Sequence, residues 1–502
     1  MNIKMIRYLM GQLSLVECAL MTVPLITCLL YGETKTMWSF LIPMAMLLGV
    51  GILLVLFKPK NTTIGVKEGF VVVGLSWMVL SLFGCIPFMI SGLIPNFFDA
   101  YFETVSGFTT TGSSILFSDA YDKLWNPVSA EVGMRGIFMW RSFTHWVGGM
   151  GVLVFVLAFM PQHDLKSSKL VYIMKAECPG PKVDKLVSTI KKTARIMYAI
   201  YLAMTAIMAV MLLFGGLDVY ESLCISFATA GTGGFSIWAD GMVTLGGVAH
   251  YSYCIWVITA FMLLFSVNFN IYYLLITGKV LTALLSEELR WFVGIVLLAA
   301  GILTFNTMAN GFYDNTSVAI RDAFFQVATI ISTSGYANAD FNLWPYLSKM
   351  TLFILMFIGA CAGSTGGGMK VSRIIITIKS TWTSVRRMIK TREVRVVRFE
   401  GKVVDESTKS SVSAYFVIYA LIYFISLFLL TLFDGVDMET SFSAVACTLN
   451  NIGPGFSKVG PFENFAFFSS ASKVLLSLNM LIGRLEIFPM LFLFAPSTWR
   501  KK

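Results

Sequence analysis

The sequence predicts an all-α integral membrane protein with ten transmembrane helices, eight of which bracket four copies of one short re-entrant segment. Three observations carry that expectation: an apolar composition, ten long apolar stretches, and a glycine-centred pattern that recurs four times between them. Of the 502 residues, 56% are hydrophobic and 13% charged, with a mean hydropathy of +0.75. Soluble domains carry about 25% charged residues to cover their surfaces, so roughly half that share calls for a lipid-facing exterior.

A spanning helix needs about 20 predominantly apolar residues. Stretches that meet this cover 12–32, 37–57, 69–93, 133–160, 193–216, 251–278, 291–309, 350–369, 411–433 and 470–495, and no large soluble domain lies between them. The first stretch is too long for a signal-peptide core and is followed at once by another span, so it reads as a retained helix. The eight cysteines are scattered, mostly through apolar segments, without a CxxC spacing. They indicate neither a zinc site nor a disulfide framework.

The formal charge of +10 does not point to nucleic acid, because Lys and Arg collect in alternate loops. Lys4 and Arg7 precede the first span, and Lys58, Lys60 and Lys67 follow the second. A basic segment runs from Lys166 to Arg195, Lys279 and Arg290 follow the sixth span, and a dense basic run extends from Lys370 to Lys409. Segment 217–250 has no Lys or Arg. Positive loops stay cytoplasmic, which places both termini inside and requires an even number of spans. Ten satisfies it.

The loops on the outer side share one pattern: FDAYFETVSGFTTTGSSI, VYESLCISFATAGTGGFSI, IRDAFFQVATIISTSGYAN and METSFSAVACTLNNIGPGF. Centred on Gly112, Gly233, Gly335 and Gly453, they recur at about 100–120 residues, as expected of one ancestral unit. Each unit reads as spanning helix, short half-helix, glycine turn, spanning helix. An acid precedes each glycine by 12 to 14 positions: Asp99, Glu221, Asp322 and Glu439. Carboxylates favour the positive N-terminal end of a helix, so the partly negative end would point toward the glycine. A helix too short to span must re-enter, and irregular backbone at membrane depth is tolerated where it lines a wet cavity. The chain divides accordingly into a two-helix hairpin (1–66) and units over 67–165, 166–280, 281–405 and 406–502.

The residues before each glycine are small or polar: Thr110-Thr111, Gly231-Thr232, Thr333-Ser334 and Asn451-Ile452. A chain whose carbonyls all face one axis needs unusual dihedrals, which glycine supplies without steric cost. Rings of such carbonyls replace the hydration shell of a potassium ion. A bare charge at the bilayer centre costs at least ~3 kcal/mol, so uncharged oxygens suit a site that must both bind and release a cation.

At these loops, and in RSFTHWVGGMGVLVF (141–155), GACAGSTGGGMKVSR (359–373) and LIGRLEIFPM (481–490), the chain resembles the Trk/Ktr/HKT superfamily of potassium transporters. The two leading spans resemble those of its ten-span TrkH-type branch. The resemblance covers nearly the whole chain and implies four membrane–pore–membrane units about a pseudo-fourfold axis, with the hairpin added. It implies a potassium filter at Thr110, Thr111, Gly112, Gly231, Thr232, Gly233, Thr333, Ser334, Gly335, Asn451, Ile452 and Gly453, with K+ (and Rb+) held by backbone carbonyls. Ile452-Gly453 departs from a strict threonine-glycine pattern, but NNxGPG is usual for this branch. The family also implies a homodimer, a cytoplasmic TrkA-type nucleotide-binding regulator and a prokaryotic inner-membrane location. No cofactor is expected.

Segment Gly359–Gly368 is too rich in glycine for a stable helix interior, at about 1 kcal/mol per glycine relative to alanine. It reads as close helix packing through small residues or, as the resemblance implies, as a movable gating loop built on Gly359, Gly363, Gly366, Gly367 and Gly368, with Lys370 beyond it toward the cytoplasm. Arg484 lies inside the last span, where a charge is functional or paired. It reads as a partner for Glu486 or another acid, or, by resemblance, as a charge facing the ion path near that loop. At about 8 Å from a passing ion it would oppose passage by ~2 kcal/mol, roughly 30-fold in rate. Arg141 and His145, four residues apart on one helical face, read as structural hydrogen-bonding groups rather than a proton path. The basic run 370–409 is expected along the lipid headgroups, with regulator contact as the narrower reading.

Potassium uptake is thus the leading expectation. Sodium conduction, or sodium or proton coupling, on the same fold is the alternative. A membrane enzyme is the remote one, since three histidines and no HExxH, P-loop or nucleophile elbow are present.

Overall fold

The computed structural model describes residues 1–60, 65–151, 190–248, 250–390 and 396–499. Among the described residues, six helical stretches are long and apolar enough to cross a membrane: Ile3–Tyr31, Thr34–Leu56, Lys67–Ile90, Thr193–Phe214, Glu287–Ala309 and Glu406–Asp434. They coincide with the first, second, third, fifth, seventh and ninth expected spans. A seventh counts if Tyr251–Phe265 and Phe269–Ile276, bent by 94°, are taken as one.

The leading hairpin is α1 (Ile3–Leu20) and α2 (Thr22–Tyr31), with α3 (Thr34–Leu56) returning along α1. Glycines let the two backbones meet: a β-carbon on Gly11 would sit 3.1 Å from the Gly51 carbonyl oxygen, and one on Gly51 3.2 Å from that of Gly11. Close approach of small residues supplies dispersion contact where lipid removes the hydrophobic drive. The chain continues through α4 (Val66–Gly84), α5 (Phe97–Phe108) and α6 (Arg135–Gly149). Glu33, at the hairpin turn, fastens the hairpin to α6. Its buried carboxylate accepts the Arg135 amide at 2.7 Å and the Gly136 amide at 2.9 Å, capping that helix.

Then come α7 (Ile190–Phe214), α8 (Val219–Ala230), α9 (Tyr251–Phe265), α10 (Phe269–Ile276), α11 (Glu287–Ala309), α12 (Thr316–Ile331) and α13 (Tyr346–Ile358). After α14 (Val371–Ile389), a two-strand hairpin, β1 (Arg398–Phe399) and β2 (Lys402–Val403), precedes α15 (Glu406–Asp434), α16 (Met438–Leu449), α17 (Ser470–Arg484) and α18 (Phe488–Phe494).

The described part of the fourth expected span ends early, and the sixth, eighth and tenth are broken, each for a local reason. α6 ends at Gly149, with Gly151 left-handed at φ 78°. Asn268 restarts the chain as α10 by accepting the Asn270 amide at 2.9 Å. Gly359 (φ 73°) closes α13 and Lys370 (φ 66°) precedes α14, while Glu486 (φ 53°) and Ile487 (φ 72°) separate α17 from α18. Freed backbone groups must find partners inside the protein, and they do. The Cys361 amide donates to Ser266 O at 3.0 Å and the Phe269 amide to Gly363 O at 3.1 Å, so two broken helices satisfy each other. The rest of the fourth expected span (152–160), most of the basic segment after it and Cys178 lie outside the described residues.

Glu33→Ala leaves two amides at the start of α6 without a cap, and a lost cap costs about 1–2 kcal/mol. The purified variant should unfold in detergent at a lower temperature than the parent, and an unchanged midpoint would mean the hairpin is held elsewhere.

Candidate functional site

Four short helices, α5, α8, α12 and α16, are packed in the interior, and each begins the same way. Asn96, Asp218, Asn315 and Asp437 cap them by accepting the Phe98, Glu221, Ser317 and Thr440 amides, the cap chemistry short polar side chains provide. At the last of these, the Thr440 amide and hydroxyl hold the Asp437 carboxyl below the ordinary aspartate range. Asp99, Glu221 and Glu439 stand in the first turn as expected. Asp322 does not. The third helix begins at Thr316, so Asp322 lies well inside it, buried and bonded to Arg321 Nε and Asn338 Nδ2, both at 2.8 Å.

The helices also end alike. The amides of Thr111, Gly233, Ser334 and Ile452 reach back to the carbonyls of Ser106, Ala228, Thr329 and Cys447, each at 2.9 Å. The residue before each is left-handed: Thr110 (φ 54°), Thr232 (φ 55°), Thr333 (φ 61°) and Asn451 (φ 56°). This is the Schellman ending, which normally places glycine at the left-handed position. Threonine there costs roughly 1–2 kcal/mol, so the surroundings must hold it. Asn451, better tolerated in that region, donates to Thr111 Oγ1 at 2.8 Å and Met480 O at 2.9 Å. Those contacts suit asparagine, rather than threonine, to the left-handed position of the fourth segment.

The next left-handed residues are Gly112 (φ 84°), Gly234 (φ 75°), Gly335 (φ 79°) and Gly453 (φ 103°). They interlock in sequence. A β-carbon on Gly112 would lie 2.0 Å from Gly233 O, one on Gly234 1.7 Å from Ser334 O, one on Gly335 2.0 Å from Ile452 O, and one on Gly453 2.8 Å from Thr111 O. The contacts close into a ring, each glycine against the carbonyl oxygen of the following segment and the fourth against the first.

The ring corrects one register. Gly234 occupies the place expected of Gly233, and Gly231 is the helix cap, the counterpart of Thr109, Ser332 and Asn450. The adjacent glycines of GTGG hid the register. Matching Ser114-Ile115 to Ser236-Ile237 downstream would have fixed it. Gly233 is a glycine for another reason, since a β-carbon there would lie 2.2 Å from the His145 ring. His145 is fully buried, with Nδ1 at 2.7 Å from Gly107 O and Nε2 accepting the Phe235 amide at 3.3 Å, which makes Nδ1 the protonated nitrogen.

Behind the loops, α6 also carries Arg141, paired with the buried Glu103 of α5 at 2.6 Å. Sequence reasoning missed Glu103, although an acid inside FETVSG was in view. Lys473 of α17 closes on Asp99 at 2.6 Å.

The chain from Gly359 to Lys370 packs against the ends of the third and fourth short helices. A β-carbon on Gly366 would lie 2.8 Å from Ser332 O, and one on Gly367 2.5 Å from Asn450 O. The Gly367 amide donates to Thr333 Oγ1 at 2.7 Å. Gly363 and Gly368 are left-handed, and Lys370 Nζ turns back to Gly366 O. Arg484 donates to Thr365 O at 2.7 Å and to the carbonyls of Gly148 and Gly149. Glu486 pairs with Arg373. Glu288 of α11 was not anticipated. Its carboxylate accepts the Ala362 amide at 2.7 Å and the Ser372 amide at 3.2 Å, holding both limbs of the loop.

All four left-handed glycines, Gly234 among them, line a cavity of about 270 Å³. A second, of about 350 Å³, is lined by Gly363, Gly366, Gly368, Lys370, Glu288 and Arg484. The arrangement offers backbone oxygens and hydroxyls at a constriction, with the partly negative helix ends converging on it. Among the described residues no group of three or more His, Cys, Asp or Glu could hold a metal ion.

The family of TrkH cation transport proteins matches residues 38–501. The Trk system potassium uptake protein TrkH of Salmonella typhimurium is 34% identical over 87% of this chain and 86% of its own. That of Halomonas elongata is 31% identical over the full length of both. The crystal structure of the potassium transporter TrkH from Vibrio parahaemolyticus superposes with a TM-score of 0.86 at 29% identity, covering all of both chains.

Two outcomes are expected from the packing. His145→Ala should partly restore folding to Gly233→Ala, whose clash is with that ring, but not to Gly234→Ala, whose clash is with backbone; monodispersity in detergent reports both. Glu288→Ala should speed labelling of a Ser364→Cys loop by a membrane-impermeant thiol reagent about tenfold, as expected for losing hydrogen bonds to a charged acceptor. An unchanged rate would mean the loop is pinned elsewhere.

Proposed function

The chain belongs to the TrkH family of cation transport proteins, and from that premise we propose that it is the membrane subunit of a potassium uptake system, conducting K+ through a carbonyl-lined filter. The observation that carries the reading is the closed ring in which Gly112, Gly234, Gly335 and Gly453 each abut the carbonyl oxygen of the next segment. A left-handed residue, a negative-φ residue and a left-handed glycine follow one another in every segment. That alternation turns successive carbonyls to one side, and rings of carbonyls are what replaces potassium hydration. The filter residues in this reading are Thr110, Thr111, Gly112, Thr232, Gly233, Gly234, Thr333, Ser334, Gly335, Asn451, Ile452 and Gly453.

The reading completes the architecture as ten spans, with four units about a pseudo-fourfold axis and the hairpin outside them. The breaks in the helices following the second, third and fourth short segments support it, because equivalent interruptions fit equivalent units. Both termini face the cytoplasm in this reading, in keeping with the alternate basic loops. Loop 359–370 serves as the gate. Arg484 and Lys370 set its resting position through backbone carbonyls and place positive charge at the inner cavity. A homodimer and a cytoplasmic TrkA-type nucleotide-binding regulator complete the proposal on the strength of the family resemblance.

The test is flux. In liposomes, the purified protein should pass K+ and Rb+ well above Na+, and Gly335→Ser should reduce that ratio, since a side chain at φ 79° must shift the Ile452 carbonyl. Equal Na+ flux in the parent would sink the potassium reading.

A further inference from the structure

Each conducting loop must be held at a fixed distance from the axis, and the structure holds the four in unlike ways. In the first, third and fourth loops the third residue past the glycine is a point of attachment. In the third loop that residue is Asn338, whose Oδ1 accepts from Gln326 Nε2 at 3.0 Å and whose Nδ2 donates to Asp322 at 2.8 Å. In the fourth it is Phe456, whose amide donates to Ser443 Oγ at 2.9 Å. Both braces are local to their own loop, built from the short helix that precedes it.

The first two loops share one ionic brace. Glu103 accepts the Ile115 amide at 2.9 Å and the Ser114 hydroxyl at 3.0 Å. Arg141, bound to the same carboxylate at 2.6 Å, donates through Nη1 to Ser236 O at 2.7 Å, and its guanidinium carbon lies 3.6 Å from the centre of the Phe235 ring. Ser114 and Ser236 stand at the same register, two residues past Gly112 and Gly234. The side chains of Glu103 and Arg141 are 0% and 2% exposed, so salt does not screen them. A charge-assisted hydrogen bond is about twice as strong as a neutral one.

We propose that the Glu103–Arg141 pair is a specificity-determining positioning pair: by clamping the first and second loops to each other it keeps the filter at the width that favours K+ over Na+. The inference rests on the filter reading above. Arg141 also lines the cavity that the four glycines line, but the hydrogen bonds of the pair go to the flanking backbone and the Ser114 hydroxyl and not to the glycines. They act through the backbone of residues 114–115 and 235–236. A filter that can narrow there would accommodate the smaller ion, so loosening this joint alone should raise Na+ affinity without removing the K+ site.

Cation-dependent thermal stabilisation of the full-length protein in detergent tests this without a regulator, because an ion that binds only the folded state raises its stability by mass action. KCl and NaCl are titrated separately against the parent, Glu103→Gln, Arg141→Lys and the neutral double variant Glu103→Gln/Arg141→Gln. The double variant guards against misfolding from an unpaired buried charge. In the parent, K+ should act at a lower concentration than Na+. In the variants the two midpoints should converge by about tenfold, mostly through tighter Na+ binding, the change expected from weakening one charged hydrogen bond.

A selective parent with variants that keep its K+/Na+ ratio would overturn the brace and leave the filter reading intact. So would a double variant that cannot be obtained folded, since the pair would then be structural only. An unselective parent would overturn the filter reading and the brace together.

Discussion

The structure turns on how closely four carbonyl oxygens can approach four α-carbons. Where a β-carbon would fall 1.7–2.8 Å from the next segment's oxygen, only glycine fits. The same four glycines are left-handed, so steric and dihedral demands select one residue type twice over. Everything around them serves that approach. The Schellman endings bring the chain out of each short helix at one angle, and the left-handed threonines accept strain of roughly 1–2 kcal/mol each. Thr111 shares bonds with Thr109 and Asn451, and Thr333 takes one from Gly367.

Burial of charge follows from the same requirement. Glu103, Arg141, Glu288 and Arg373 lie where an isolated charge would be prohibitive, and each has at least one partner of opposite charge or several backbone dipoles. Arg484 donates to three backbone carbonyls, which fix its position. It joins the loop at Thr365 to the end of α6, so loop and helix end move together.

Broken helices are expensive in lipid unless the freed groups are paired within the protein. Here the breaks pair with one another: residues 265–269 bond to 361–365, and Glu288 closes both limbs of the loop from the start of α11. Glu288 is in turn tied outward, since its amide and the Ser286 hydroxyl both bond to Glu400 of the β-hairpin at 2.9 and 2.8 Å. The loop beneath the constriction is therefore in hydrogen-bonded continuity with a surface element.

Apolar run length and residue type were enough to read the membrane class, six of the ten expected spans and the four short helices from the sequence alone. Those features depend on local pattern: about 20 apolar residues make a span, and a small polar run before glycine marks a turn. Helix starts were less legible. An acid may sit at the first turn, as at Asp99, or well inside, as at Asp322, and only the position of the Asx cap tells them apart. Adjacent glycines defeated register assignment, because Gly233 and Gly234 look alike until His145 is seen to crowd one and Ser334 O the other. The roles of Glu103, Glu288 and Arg484 were decided by tertiary structure. The partners of Glu288 and Arg484 lie more than seventy residues away and those of Glu103 between 11 and 38, and a hydrogen bond between segments brought together only by folding leaves no spacing to read.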